Sequence, residues 1–428
     1  MNAAIRSSVQ DDSPRPPAFV VAPGTPRQPR LIHAVILLVT AGLSSLATAV
    51  LGPTLPRMQE HFAATPHADY LVPLSLTVPM LMMALLSVFS GLLADRVGRK
   101  RILVVATVGY ALCGTAPLYL NSLNAILASR VLLGVAEAMV MTVSTTLIGD
   151  YFSGSRRAKM MSLHTTFAAI SAFILNILGG ILGNHGWRTP YWVYGISLVL
   201  ALLMAIHLWE PDTGPSVRRP QTEPVAADEG PFRLRQLLGI CVVAAVVGVT
   251  FLTVPVHLGY LFALLHVTDS AQIGVAFALN SVGVILGSVA FGWVIGPRVR
   301  SVALQIALAS GVLAFGFVGM SASANYGSLT IAAALSGIGM GLLLPTVNVW
   351  NMQVLPVSHR GVGIGAFQSS LFLGMFFNPI LVVSLDPWSH SRAVSVGWLG
   401  LPLLFAAGIA VLVAVRARSA AVLSPSDA

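Results

Sequence analysis

Gly91-Leu92-Leu93-Ala94-Asp95-Arg96-Val97-Gly98-Arg99-Lys100-Arg101 is a short charged stretch set between two long apolar ones. Gly91 and Gly98 permit tight turns and close backbone approach. Asp95 and Arg99 stand one helical turn apart and can pair. The apolar runs on either side, 69–93 and 101–120, each reach the roughly 20 residues that a membrane-crossing helix needs. The stretch therefore reads as a tight polar connection between two spanning helices.

The whole chain supports that reading. It has 428 residues, of which 56% are hydrophobic and only 9% charged, with a mean hydropathy of +0.82. A soluble domain carries about a quarter of its residues as charges. This chain cannot cover a water-facing surface, but it can fill a bilayer, where charge is expensive. The net charge of +9 and pI of about 10.1 would suggest nucleic acid in a soluble protein. Here the bases stand in short loops between apolar runs, so the expected partner is the bilayer and not nucleic acid. Cys113 and Cys241 lie inside apolar runs and suggest neither a disulfide framework nor a zinc site. No cofactor is expected.

Twelve apolar runs are long enough to span: 31–51, 69–93, 101–120, 124–149, 160–183, 190–209, 236–264, 271–295, 302–321, 328–353, 362–385 and 394–415. Hydrocarbon offers the backbone no partners, so each run is expected to be helical. With the N-terminus in the cytoplasm, twenty Lys and Arg fall on the inner side. Only Arg57, Arg188 and Arg392 fall outside, and Arg130 lies within a span. That asymmetry fixes the orientation, with both ends inside. Residues 1–30 are polar and Pro-rich and read as a disordered cytoplasmic tail. The run from Leu31 followed by Ala47-Thr48-Ala49 superficially suits a cleaved signal peptide. It is long enough to span, however, and many spans follow it. Residues 210–235 are polar, with five prolines, and split the chain into six spans before (31–209) and six after (236–416), with a short tail at 417–428. The expected architecture is an all-α membrane protein of two six-helix halves, with a site near the midplane between them.

The charged stretch resembles the signature G-x-L-A-D-R-x-G-R-K of the major facilitator superfamily, at the family's position between helices 2 and 3. The resemblance implies the major facilitator fold. It also implies that Asp95, Arg99 and Asp150, the last at the inner end of helix 4, clasp the halves on the cytoplasmic face and release when the transporter turns inward. The second half carries a weak echo, Gly292-Trp-Val-Ile-Gly296-Pro297-Arg298. Helix 1 ends in Leu51-Gly52-Pro53-Thr54-Leu55-Pro56, similar to the drug:proton antiporter branch. Helix 10 carries Gly337, Gly339 and Gly341, then Pro345 and Asn348. Small residues allow close helix packing, and Pro can break a helix beside a cavity. The resemblance runs from residue 31 to residue 416.

Two strongly charged residues lie well inside a span, Arg130 and Glu137 on helix 4. Intramembrane charge is a functional hypothesis by default. Arg130 opens Arg-x-x-x-Gly134, similar to the family's helix 4 motif, whose Arg is linked to proton transfer. Seven residues separate the pair, so they share a helix face, about 10 Å apart along the axis. Desolvation and a nearby cation pull a carboxyl's protonation in opposite directions, which suits a group that loads and releases a proton. Glu137 is thus the expected protonation site and Arg130 its tuning partner. The alternative is a structural ion pair, or a hydrogen-bonded carboxyl holding helix 4 to a neighbour.

Other polar residues in spans offer a cavity lining: Asn176, His257, Asn280, Asn348, Gln368 and Asn378. Hydrogen bonding between helices is the bland alternative for each. His257, flanked by Pro255 and Gly259, suits a cavity better than His33 or His164 does. A mainly apolar cavity with scattered amides fits a small amphipathic organic substrate. The helix 5 stretch Leu175-Asn176-Ile-Leu-Gly179-Gly180 keeps only the last glycines of the antiporter motif Gly-Pro-x-x-Gly-Gly. Helix 4, from Arg130 to Ala138, also resembles that of anion:cation symporters. Proton-coupled export is the expected activity, by a monomer in the cytoplasmic membrane, with proton-coupled uptake as the alternative. A membrane-embedded enzyme lacks a nucleophile with a base at recognisable spacing, and ATP-driven transport lacks a phosphate-binding loop. A non-transporting sensor is the remaining alternative of another class.

Overall fold

The computed structural model describes residues 29–211, 234–299, 301–354 and 360–423. Most of the N-terminal tail, most of the central linker and residues 424–428 lie outside them. Twelve segments are helical, long and apolar enough to cross a membrane. In chain order their helices are α1 (Leu31–Ala49), α2 (Ala68–Val97), α3 (Arg99–Thr115), α4 (Leu123–Tyr151), α5 (Gly154–Gly183) and α6 (Ile196–His207), then α7 (Leu234–Leu264), α8 (Ser270–Ala290), α9 (Val302–Ser321), α10 (Tyr326–Val354), α11 (Arg360–Ser389) and α12 (Gly400–Leu423). Short helical turns extend several of them: Leu55–His61 after α1, Thr189–Gly195 before α6, and Arg392–Trp398 before α12. An even number of crossings puts the start of α1 and the end of α12 on one side, the terminal face.

The helices pack as a repeated unit. In the first half α4 packs on α2 and α3, α1 on α5, and α3 on α6. Advancing every number by six gives the pairings of the second half: α10 on α8 and α9, α7 on α11, and α9 on α12. The halves meet through α5 with α8 and α2 with α11, two contacts that the same shift exchanges. Val105, Leu112, Ile196, Leu202 and Phe405 are largely exposed and apolar, as a lipid-facing surface requires. Trp192, Trp293 and Trp388 stand exposed near helix ends, where indole rings favour the membrane–water interface.

Two details differ from the sequence expectation. The first span, expected over 31–51, is followed directly by further helical structure. The chain tightens through a 3-10 turn at Gly52–Thr54 and re-enters a helix at Leu55–His61, with Pro53 and Pro56 near the start of each piece. Gly91 makes no turn either. α2 continues through Asp95 and Arg96, and Gly98 alone reverses the chain, at φ 112° and ψ 132°. Only glycine adopts that backbone readily. A Cβ there would also stand 2.9 Å from the Glu210 carboxylate. Gly98→Ala is expected to cost about 1–3 kcal/mol, visible as a lowered thermal midpoint of the detergent-solubilised protein. An unchanged midpoint would mean that the turn relaxes freely.

Candidate functional site

On the terminal face, Arg99 gathers the polar groups that the sequence singled out. Its Nη2 donates to Asp95 Oδ1 at 2.9 Å and its Nη1 to Asp150 Oδ2. Glu210, beyond α6, closes the cluster: its carboxylate accepts from the backbone N–H of Arg99, and of Lys100 at 3.1 Å. These N–H groups open α3 and have no partner within that helix, and the helix dipole favours an anion there. All four side chains belong to the first half, so in this conformation the cluster ties α2, α3, α4 and the end of α6 to one another. Asp95 remains 47% exposed, and a pair of that kind is worth about 0–1 kcal/mol.

Deeper in the same half, Arg130 and Glu137 are each 1% exposed on the face of α4 turned to α3. They do not pair: among the described residues the ion pairs are those of Arg99 and the one between Arg392 and Asp386. Arg130 Nη2 donates to the carbonyls of Cys113 at 2.6 Å and Gly114 at 3.0 Å, in the last turn of α3. Its guanidinium lies 5.3 Å and 5.4 Å from the ring centroids of Tyr191 and Tyr194. It therefore caps a helix C-terminus, where orphan carbonyls and the dipole favour a cation, and rests on two aromatic faces. Tyr110 packs on Tyr194 and donates its hydroxyl to Leu43 O of α1 at 2.6 Å. Both carboxyl oxygens of Glu137 are buried without a hydrogen-bond partner.

The two halves join on the face opposite the termini. Arg57, in the short helix after α1, donates to Gly183 O of α5 at 2.5 Å and across the seam to Thr268 O at 2.8 Å. Asn184 bridges the halves twice at 2.8 Å: its Nδ2 donates to Asp269 Oδ1 and its Oδ1 accepts from the Ser270 N–H. The Asn184 amide, then the Ala271 N–H, hold the Asp269 carboxyl below its ordinary range. A depressed folded value contributes stability above the unfolded value of about 3.9 and loses it as pH falls through the folded one. The clasp therefore keeps full strength at neutral pH. Backbones nearly touch beside it: a Cβ on Gly180 would lie 2.5 Å from Ser270 O and one on Gly274 2.6 Å from Asn176 O. Toward the terminal face α5 and α8 part. There α5 exposes Ser162, Leu163, Thr165 and Thr166 and covers His164, and α8 exposes Leu286, Ser288 and Val289. Among the described residues no side-chain hydrogen bond joins α5 to α8 beyond the Asn176–Ser281 pair on that side.

The six residues read as a cavity lining do not form one cluster. Asn176 lies on the seam, its amide donating to Ser281 of α8 at 3.1 Å. His257 and Asn378 meet, Nε2 to Oδ1, at 3.2 Å between α7 and α11. Asn280 donates to Ala333 O of α10 at 2.7 Å, a bond within the second half. Asn348 bonds to Leu344 O of its own helix, and Gln368 is exposed. Arg57, Asn184, Asp269, Glu210, Asp386 and Arg392 were not singled out from sequence as site residues. Arg57, Asn184 and Glu210 find their partners far along the chain, and in sequence all six read as ordinary loop polarity.

A bundle of twelve spans in two similarly packed halves, hydrogen-bonded to each other on one face, is the architecture of a secondary transporter. The Major Facilitator Superfamily pattern matches residues 37–379, and the chain belongs to that superfamily. It is 24% identical to the "Tetracycline resistance protein, class C" of Escherichia coli over 381 residues, 85% of this chain and 92% of the relative. It is also 24% identical to the "Bacillibactin exporter" of Bacillus subtilis, over 80% of this chain and 86% of the relative. Among solved structures, a D-xylose-proton symporter superposes with a TM-score of 0.67 at 15% identity, covering 88% of this chain and 96% of that one. The protein is thus a multi-pass membrane transporter of small molecules and not an enzyme.

Proposed function

We propose that this transporter couples proton movement to export of a small amphipathic organic compound. In this reading it works by alternating access in the cytoplasmic membrane, with both termini inside. Glu137 carries the reading. A carboxyl in mid-α4 with neither oxygen partnered is costly as a bare carboxylate, and taking up a proton relieves that cost. Arg130 is committed to α3 and two tyrosines, so it tunes Glu137 through its field rather than by contact. The substrate enters between the halves on the terminal face, as far as the Asn176–Ser281 contact. The similarity to an exporter along four-fifths of the chain favours export. Uptake symport is the second reading, favoured by the helix 4 stretch from Arg130 to Ala138.

A compound panel against deletion and overexpression strains identifies the substrate. Proteoliposomes under an imposed proton gradient then test the coupling, because antiport and symport accumulate substrate under gradients of opposite sign. Glu137→Gln is expected to lose gradient-driven accumulation while keeping substrate counterflow. Full proton dependence in that variant sinks the coupling role.

A further inference from the structure

His257 has no exposed surface, and both its ring nitrogens meet a partner. Nε2 is 3.2 Å from Asn378 Oδ1. The Asn378 amide nitrogen donates to Val249 O at 2.8 Å and to the Thr253 hydroxyl at 3.0 Å. Oδ1 is therefore the acceptor, and the imidazole carries its hydrogen on Nε2. Nδ1 keeps its lone pair and faces Arg392 Nη1 at 3.5 Å. Arg392 is permanently charged and donates from Nε to Asp386 Oδ2 at 2.6 Å. The other Asp386 oxygen accepts from the Ser395 hydroxyl at 2.6 Å. Arg392 and Asp386 keep 12% and 26% of their side-chain surface exposed. A polar path thus runs from the opposite face to a fully buried imidazole.

This geometry accommodates only a neutral ring. A proton added at Nδ1 would point into the guanidinium, and two cations in contact repel each other strongly away from bulk water. Protonation must therefore expel Arg392. What surrounds the pair makes that movement consequential. The guanidinium rests 5.3 Å from the Tyr260 ring centroid. Tyr260 walls a cavity of about 510 Å³ together with Pro56, Gln59 and Glu60 of the first half. Two residues to either side of His257, Pro255 and Gly259 lie against the turn that ends α1: a Cβ on Gly52 would stand 2.9 Å from Pro255 O, and one on Gly259 3.1 Å from Gly52 O. The same short piece of α7 holds both the imidazole and the first half.

We propose that His257 and Arg392 form a proton-operated latch on the opposite face. A proton from that face binds His257 Nδ1, drives Arg392 away from the ring while Asp386 retains it, and loosens the α7 seal at Gly52. The latch lies in the second half, does not rest on the role given to Glu137, and works on the conformational equilibrium. Other titratable groups around α7 stand further from the ring. Tyr260 is 6.5 Å away between ring centroids. Glu60, His67 and Asp69 line the cavity beside Tyr260, Tyr326 of α10 packs on Phe262, and Asp269 is engaged in the clasp.

Hydrogen–deuterium exchange of the full chain in lipid nanodiscs tests the latch without a known substrate. Burial and the guanidinium both oppose the added proton, so exchange of residues 52–62 and 253–263, corrected for its intrinsic pH dependence, is followed from about pH 8 down to about pH 4.5 and is expected to rise about fivefold or more across that range. His257→Gln and Arg392→Gln are each expected to flatten the response, and His67→Gln to retain it. A wild type without the response overturns the proposal, as does a response that persists in folded His257→Gln. Where that variant fails to give a monodisperse protein, Arg392→Gln decides: a retained response overturns the latch and a lost one supports it. Loss in His67→Gln alone would move the sensor to the cavity wall and overturn it equally.

Discussion

Gly180→Val is expected to abolish transport by preventing the opposite face from closing. A Cβ at this position meets Ser270 O at 2.5 Å and the Gly274 Cα at 2.9 Å. These are backbone atoms of α8 and cannot swing aside as a side-chain tip can. Even alanine forces α5 and α8 apart, and valine adds two methyls to the same gap. Overpacking of this kind costs about 1–3 kcal/mol, occasionally more. Here the strain falls on one conformation, the one in which the faces of α5 and α8 touch, so the equilibrium moves toward states open on that side. Transport needs both closures, and losing one stops the cycle. Gly239 in α7 supplies the control, since a Cβ there meets nothing within 4 Å. Gly239→Ala is expected to be neutral or to stabilise by about 0.4–1 kcal/mol, opposite in sign to Gly180→Ala. Thermal unfolding in detergent reads the sign, and proteoliposome counterflow reads the cycle. A Gly180→Val protein with wild-type counterflow would show that the α5–α8 contact is not needed for transport.

The legibility of the molecule in its sequence follows the range of the interactions involved. Helix existence was legible because bilayer spans announce themselves locally, through length and apolarity. All twelve runs read from hydropathy correspond to helical segments long and apolar enough to cross. The glycine signature around Asp95 was legible for the same reason, being one contiguous stretch. Its details were less so. Gly91 looks like a turn residue by type, yet six further residues propagate α2, and only Gly98 takes a backbone that other residues avoid. Arg130 and Glu137 were found because charge inside a span is rare, but their relation was not. A shared helix face suggests pairing; the Arg130 guanidinium instead reaches the last turn of α3, where the residue four beyond Cys113 is Pro117 and has no N–H to give. The seam was illegible. Arg57 meets Thr268 and Asn184 meets Asp269, each across many residues of chain. Loop charges counted only toward orientation turn out to be the polar contacts of the opposite face.

Those contacts give the two faces different physics. On the terminal face the charged cluster is confined to one half and remains partly exposed, so it stiffens that half without holding the other. On the opposite face the halves are joined by neutral or singly charged hydrogen bonds and by backbone-to-backbone glycine contacts that exclude side chains. The first arrangement lets the halves separate on that side without breaking it. The second seals tightly but depends on small residues in register, which is why a single methyl can unbalance it. Alternating access in this chain therefore turns on how readily the glycine seam parts, and groups able to change charge beside it, His257 foremost, are placed to set that.

Arg130→Met is expected to destabilise the fold more than Gly98→Ala does. The guanidinium is 1% exposed and binds two α3 carbonyls and two tyrosine rings. Hydrogen bonds to a charged group are worth about 1.5–3 kcal/mol, and a desolvated cation–π contact about 2 kcal/mol. Methionine roughly fills the volume and leaves the end of α3 uncapped, so a net loss of about 2–4 kcal/mol is expected once its better burial is set against the lost polar contacts. Arg130→Lys separates the structural role from the electrostatic one. Lysine keeps the positive charge but lacks the planar fork that reaches carbonyls and rings together. If Arg130 acts on Glu137 through its field, the lysine protein is less stable than wild type yet keeps proton-driven accumulation, whereas the methionine protein loses both. If Arg130 serves only to cap α3, the proton dependence of transport in both variants follows the wild type wherever the protein is folded. Thermal unfolding, read beside the pH profile of transport, distinguishes the two. A methionine variant as stable as wild type would refute the capping role itself.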